Sequence, residues 1–186
     1  MSAEDNPAYL VNPTRRRLLR ASLAGTVLAA APFSTVWAAS ERRLSLHNLH
    51  TGEHVSQPYW VQGSYMPESL SAINTVLRDH RSGEVYPIDP DLLDLLFAMQ
   101  QHVGARQGYE VISGYRSPAT NAKLQGQSDG VAKRSLHMQG RAIDIRLPGI
   151  RLATLHSAAK QIKSGGVGLY AESNFIHVDT GRVRYW

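Results

Sequence analysis

Two short segments of this chain alternate so regularly that they read as strands with one dry face and one polar face. In Ala142-Ile143-Asp144-Ile145-Arg146-Leu147, residues Ile143, Ile145 and Leu147 share one side, while Ala142, Asp144 and Arg146 share the other. Phe175-Ile176-His177-Val178-Asp179 repeats the pattern, with Ile176 and Val178 opposite Phe175, His177 and Asp179. The apolar sides must face helices, so a carboxylate and an imidazole are left together on the open side of the sheet. A second imidazole, His137, stands in Ser135-Leu136-His137-Met138-Gln139-Gly140, the loop before the first strand, where Gly140 gives the backbone freedom to turn.

His137, Asp144 and His177 together make a three-ligand zinc set with one coordination position open, the arrangement of a catalytic ion. A structural zinc would take four protein ligands, mostly thiolates, and the chain has no cysteine. One zinc ion per chain is expected on this reading.

These segments resemble the zinc D-alanyl-D-alanine peptidase and hedgehog-like superfamily of bacterial cell-wall hydrolases, and within it the murein endopeptidase K type. Further matching pieces are Asn48-Leu49-His50-Thr51-Gly52-Glu53, Ser113-Gly114-Tyr115-Arg116-Ser117 and Asp179-Thr180-Gly181-Arg182-Val183-Arg184-Tyr185-Trp186. They extend from about residue 44 to the last residue. The resemblance implies a zinc-dependent endopeptidase that cuts the peptide cross-links of peptidoglycan. Two rivals carry different consequences: a D,D-carboxypeptidase removing terminal D-alanine, and a zinc-containing wall-binding module without turnover.

A zinc ion so held lowers the pKa of its water and polarises a peptide carbonyl. Hydrolysis further needs a stabiliser for the developing oxyanion. Arg116, just beyond a strand end, is the candidate, and the resemblance implies an arginine at this place with that role or a grip on substrate carboxylate. Tyr115 and Ser135 are the candidate substrate-binding residues, Ser135 alternatively bonding within the metal loop. The general base is harder to find. The superfamily often uses an acid three positions before the last zinc histidine or a His two before it, and here those positions are Asn174 and Phe175. Asp179 is the nearest replacement, either as base or as the carboxylate that orients a ligand imidazole, the second role being the more common one for zinc-bound His. Glu172, His50 and Glu53 are the other candidates, whereas His54, His80, His102 and His156 lack motif context and read as surface or capping residues.

The N-terminus carries an independent signal. Thr14-Arg15-Arg16-Arg17-Leu18-Leu19-Arg20 is a twin-arginine pattern followed by a mildly apolar run from Ala21 to Phe33. That run is a helix of only about 20 Å, short of a hydrocarbon core of roughly 30 Å, so it reads as a signal segment and not a stable span. Cleavage is expected after Ala38 or Ala39, giving a signal peptide over residues 1–38, a single domain over 39–186 and a periplasmic destination reached through the twin-arginine machinery. The formal charge of +5 falls to +3 once the four arginines and two acids of residues 1–38 are set aside. No Lys/Arg cluster accompanies that charge, so nucleic acid is not an expected partner, while an anionic polymer such as the cell wall is.

The remaining chain supplies helices and closing strands. Arg43 to His50 alternates apolar and polar residues and opens a hairpin that turns at Thr51-Gly52. Leu70, Ile73, Val76 and Leu77 recur at helical spacing from Pro67 to Arg81, and Asp89-Pro90 caps a helix whose stripe is Leu92, Leu95, Leu96 and Met99. Ser117-Pro118 starts a short helix by the same logic, and Ile150, Leu152, Leu155, Ala159 and Ile162 mark another. Tyr109–Ser113, Gly166–Tyr170 and Arg182–Tyr185 read as strands. The fold class is α+β: a small, mostly antiparallel sheet with helices packed on one face and the zinc site on the open face.

Overall fold

The computed structural model describes residues 41–127 and 130–186. The twin-arginine segment, the apolar run and the expected cleavage point lie outside the described residues. No described helix is long and apolar enough to cross a membrane.

The chain runs β1 (Glu41–Asn48), β2 (His54–Val61), β3 (Ser64–Tyr65), α1 (Pro67–Val76), α2 (Pro90–His102), β4 (Tyr109–Ser113), α3 (Pro118–Gln125), a 3-10 turn (Leu136–Gln139), β5 (Ala142–Arg146), α4 (Leu152–Ile162), β6 (Gly166–Tyr170), β7 (Phe175–Asp179) and β8 (Arg184–Tyr185). The eight strands form one sheet in the order β3-β2-β1-β4-β5-β7-β6-β8. Only β1–β4 and β6–β8 pair in parallel. The fold is therefore the expected α+β architecture, with a wider sheet than the sequence pattern announced. β2 was obscured by Pro58 and by a register shift at Arg42/Arg43, and β3 is only two residues long.

The alternation of β5 and β7 does what its pattern requires. Ile143, Ile145, Ile176 and Val178 are fully buried in one core with Leu44, Leu46, Ile73, Leu92, Leu96, Met99, Val111 and Leu155. This core lies between the sheet and α1, α2 and α4, each of which buries an apolar stripe. Asp89 caps α2 by accepting from Asp91 N at 3.1 Å. Its other carboxylate oxygen accepts from the Thr180 hydroxyl at 2.8 Å, tying the helix start to the end of β7.

Helix α1 stops at Val76, earlier than the periodicity suggested. The cause is Asp79, a buried carboxylate that accepts from Arg81 N at 3.0 Å and so offers the backbone an alternative to the next helical turn. Beside the site, β4 bulges: Val111 pairs with Ile145 but Ser113 with Asp144. A bulge re-aims the strand locally, here just before the loop that carries Arg116.

Candidate metal centre

Asp144 and His177 are direct cross-strand partners on β5 and β7. His137 arrives from the 3-10 turn, whose N-cap is Ser135; the Ser135 hydroxyl accepts from His137 N at 3.4 Å. The turn ends at Gly140, with φ +65, where an added Cβ would run into the carbonyl of Pro87. Only glycine fits both the backbone angle and the close approach.

Three atoms converge: His137 Nε2 and His177 Nδ1 are 3.3 Å apart, His177 Nδ1 and Asp144 Oδ1 2.9 Å, and His137 Nε2 and Asp144 Oδ1 3.4 Å. A tetrahedral ion with bonds of about 2.0–2.1 Å sets its ligand atoms about 3.3 Å apart. The far nitrogens explain why these atoms face inward. Gly114 O can only accept, so His137 Nδ1–H donates to it at 2.7 Å. His177 Nε2–H donates to Asp179 at 2.9 Å. Both rings thus present Nε2 and Nδ1, respectively, as the ligating atoms, and the group fits a metal ion. Burial drives His177 toward neutrality, but Asp144 and Asp179 outweigh it and raise its pKa, so proton and metal compete for the ring.

Asp179 is fully buried and is the hub behind His177. Its Oδ1 accepts from Gly166 N at 3.0 Å, Gly181 N at 2.8 Å and Arg184 Nη1 at 3.1 Å. Its Oδ2 accepts from His177 and from Arg184 Nη2, the latter at 2.7 Å. Burial alone would raise the pKa, but His177, Arg184 and the two backbone donors hold the carboxyl well below its ordinary range. Facing the far side of His177, it has the geometry of an orienting carboxylate.

Arg116 sits on the other flank, its side chain 13% exposed, with Nη2 3.9 Å from Asp144 Oδ2 and weak bonds to Ser113 Oγ and Asn121 Oδ1. Its Nε is buried without a partner among the described residues. Burial draws the guanidinium pKa down and Asp144 opposes that. The loop that carries it is fixed by Asp79, whose Oδ2 accepts from both Ser117 N at 3.0 Å and Ser117 Oγ at 2.7 Å. Burial opposes ionisation of Asp79, yet hydrogen bonds from Thr120, Ser117 and Arg81 hold it ionised below the usual carboxylate range.

The three ligands and Arg116 line a cleft of about 330 Å³ with Arg134, Ser135, Tyr170, Phe175, Arg184 and Trp186 among its walls. Tyr170 stacks on Phe175 at 4.6 Å, and Trp186 lies 5.3 Å from the His177 ring while donating to the Tyr170 hydroxyl at 3.0 Å.

The expected site residues divide clearly. His137, Asp144, His177, Arg116 and Ser135 meet in the cleft, with Asp179 behind it. Tyr115 does not reach the cleft: it is buried, stacked on Tyr86 at 4.7 Å, and its hydroxyl donates to Glu84 at 2.7 Å. A substrate-binding role for Tyr115 is therefore corrected to a packing role that braces the Arg116 loop. Glu53 is paired with Arg78 at 2.6 Å, His50 is stacked on His80 at 4.0 Å, and Glu172 is exposed in the β6–β7 turn. None of these three lines the cleft, where Asp144 is the one carboxylate among the described lining residues. Asp79, Arg134 and Arg184 escaped the sequence reading. For Arg184 the Asp179-Thr180-Gly181-Arg182-Val183-Arg184 run was a usable signal, since a buried carboxylate before a glycine turn needs a cation nearby.

The peptidase M15 family described as Peptidoglycan L,D-endopeptidase MepK matches residues 36–186. The chain is 42% identical to the peptidoglycan L,D-endopeptidase MepK of Escherichia coli K12 over 177 residues, covering 92% of this chain and 96% of that one. It shares the same 42% with the protein of that name from Shigella flexneri. A probable peptidoglycan L,D-endopeptidase MepK from Haemophilus influenzae is 40% identical over 162 residues, 87% of each chain. No solved structure matches the chain. A match to the family over most of the length, reinforced by relatives of this identity, means that the chain belongs to the MepK family of metal-dependent peptidases.

Proposed function

We propose that this chain is a zinc-dependent endopeptidase of the periplasm that hydrolyses L,D-cross-links of peptidoglycan, one zinc being held by His137, Asp144 and His177. The observation that carries the reading is the triangle of inward ligand atoms, 2.9–3.4 Å on a side, with each imidazole committed outward through its other nitrogen. Bound there, zinc supplies a Lewis acid and an acidified water.

The chain's own residues do the rest. Gly114 O and Asp179 fix the orientation and tautomer of the two imidazoles. Arg116, largely withdrawn from water, directs a cation to the flank of Asp144 where the scissile carbonyl gathers negative charge, and such a pre-placed charge acts more strongly in a dry cleft. Ser135 secures the metal turn. Asp179 acts as the orienting carboxylate, because a carboxylate already accepting from five donors has no open lone pair for a proton from the cleft.

Residues 1–38 serve in this proposal as a twin-arginine signal and residues 39–186 as the exported domain, which matches a substrate located in the wall. Digestion of purified sacculi, with the muropeptides read by mass spectrometry, tests the activity. Loss of L,D-cross-linked dimers is expected. Loss of terminal D-alanine alone would make it a carboxypeptidase, and retention on sacculi without cleavage a binding module. Metal analysis of His137→Ala, Asp144→Ala and His177→Ala tests the ligands: each should lose most of the zinc, and a fully loaded His177→Ala protein would overturn the set.

A further inference from the structure

We infer that Arg134 is a specificity-determining residue that reads a free carboxylate on the substrate close to the scissile amide. The inference rests on the proposed peptidase reading and names the substrate chemistry that its cleft selects.

Charge in the cleft is unbalanced. Among its described lining residues, three guanidinium groups, Arg116, Arg134 and Arg184, stand against one carboxylate, Asp144. Two of the three have other tasks, Arg184 in an ion pair and Arg116 beside Asp144 at the oxyanion position. Arg184 makes a two-pronged pair with the buried Asp179, with Nη2 at 2.7 Å and Nη1 at 3.1 Å. Arg116 leans on Asp144, Ser113 and Asn121. Arg134 makes no hydrogen bond or ion pair with another described residue, although it is exposed at the cleft wall. A dication held by the three ligands would make the imbalance larger, because it would consume the charge of Asp144. A ligand bearing carboxylates is what such a cleft attracts and orients.

The position of Arg134 is also prepared, which separates it from an arginine that merely dangles. Ala132 O accepts from Asn121 Nδ2 at 3.2 Å, so the chain is pinned two residues before it. Ser135, the next residue, is buried and caps the turn that carries His137. Asn121 also accepts from Arg116, so one buried side chain sets the spacing between the oxyanion-facing arginine and the segment presenting the second. A planar fork carried on backbone that is pinned beside the ligand triangle suits bidentate capture of a carboxylate, and a lysine there would supply charge without the fork. The cleft is also lined by a cluster of Tyr170, Phe175 and Trp186 beside His177, aromatic and without formal charge, so its two kinds of lining ask different things of a peptide. One asks for an anion and the other for a flat or apolar surface.

The test uses the zinc-loaded protein and paired synthetic cross-linked stem peptides. One member of each pair carries the free carboxyl beside the scissile amide, and the other carries it as a primary carboxamide. Equilibrium binding is measured by calorimetry and cleavage by chromatography. The wild type should favour the carboxylate by on the order of 10–100-fold, mainly through KM and Kd, the worth of one charge-assisted two-pronged contact. Arg134→Gln should abolish that preference while turning over the carboxamide peptide like the wild type. Arg134→Lys should restore only part of it. An Arg134→Gln protein that keeps the wild-type preference, or a wild type that binds both peptides equally, overturns the inference. Should wild type bind the carboxylate peptide selectively but cut neither, the peptidase reading fails while the role of Arg134 stands.

Discussion

Replacing Asp179 by Asn separates orientation from proton transfer, because the structure fixes what the new amide would meet. Five donors point at the carboxylate, two at Oδ2 and three at Oδ1. An amide has one accepting atom, so its NH2 group takes the less crowded place opposite His177 Nε2–H and Arg184 Nη2–H. His177 escapes the clash by moving its proton to Nδ1, and that removes the lone pair aimed at the metal position. Arg184 loses a charge-assisted partner but is 32% exposed at its side chain and can rehydrate, which limits the stability loss to about 1–3 kcal/mol. The main loss should fall on metal affinity, about 10–100-fold by chelator competition, with turnover restored by excess zinc. A urea titration of the metal-free protein reads the stability term separately. Unchanged affinity with turnover reduced 10²–10⁴-fold, the usual worth of a positioned proton acceptor, would refute the orienting role and make Asp179 the base.

Three other outcomes are expected. Gly168→Ala places a methyl 2.5 Å from the Trp186 ring; the half-exposed ring should swing away, changing tryptophan emission and lowering turnover at a stability cost of about 1 kcal/mol, and unchanged emission would refute the packing. Burial first, then Arg81, His50 and Arg116, against the weaker opposing pull of Asp79, hold the His80 pKa down at about 4. Its neutral form is therefore the one favoured by folding, so the contribution is complete above the unfolded value near 6.5 and drains as pH falls toward 4. Urea titrations at pH 7.5 and 4.5 should show a shallower fall in His80→Gln, and equal slopes would exclude the effect. Joint substitution of Arg15 and Arg16 by Lys should leave the precursor in the cytoplasm, since a lysine pair does not reproduce two guanidinium groups, and normal periplasmic levels in fractionated cells would point to another export route.

The ligand strands were legible because alternation carries two messages at once: Ile143 and Ile145 declare the core, and Asp144 between them must then face away from it. The same argument places His177 between Ile176 and Val178. Caps were legible for a similar reason, since Asp89-Pro90 and Ser117-Pro118 state their role within two residues. What could not be read was long-range satisfaction. Nothing near Asp79 in sequence says that its carboxylate will accept from Ser117, thirty-eight residues on, and so hold the Arg116 loop. Tyr115 was misplaced for the complementary reason: adjacency to Arg116 suggested a shared cleft, but neighbours in an extended loop point in opposite directions, and its ring went to Tyr86 and Glu84. The ligand atoms themselves were local knowledge, whereas their tautomers depended on Gly114 and Asp179, one from a distant loop and one from the same strand. Sequence pattern thus carries the donors of a metal site but not the groups that orient them, because orientation is decided by whichever buried polar atom the fold brings to the far side of each ring.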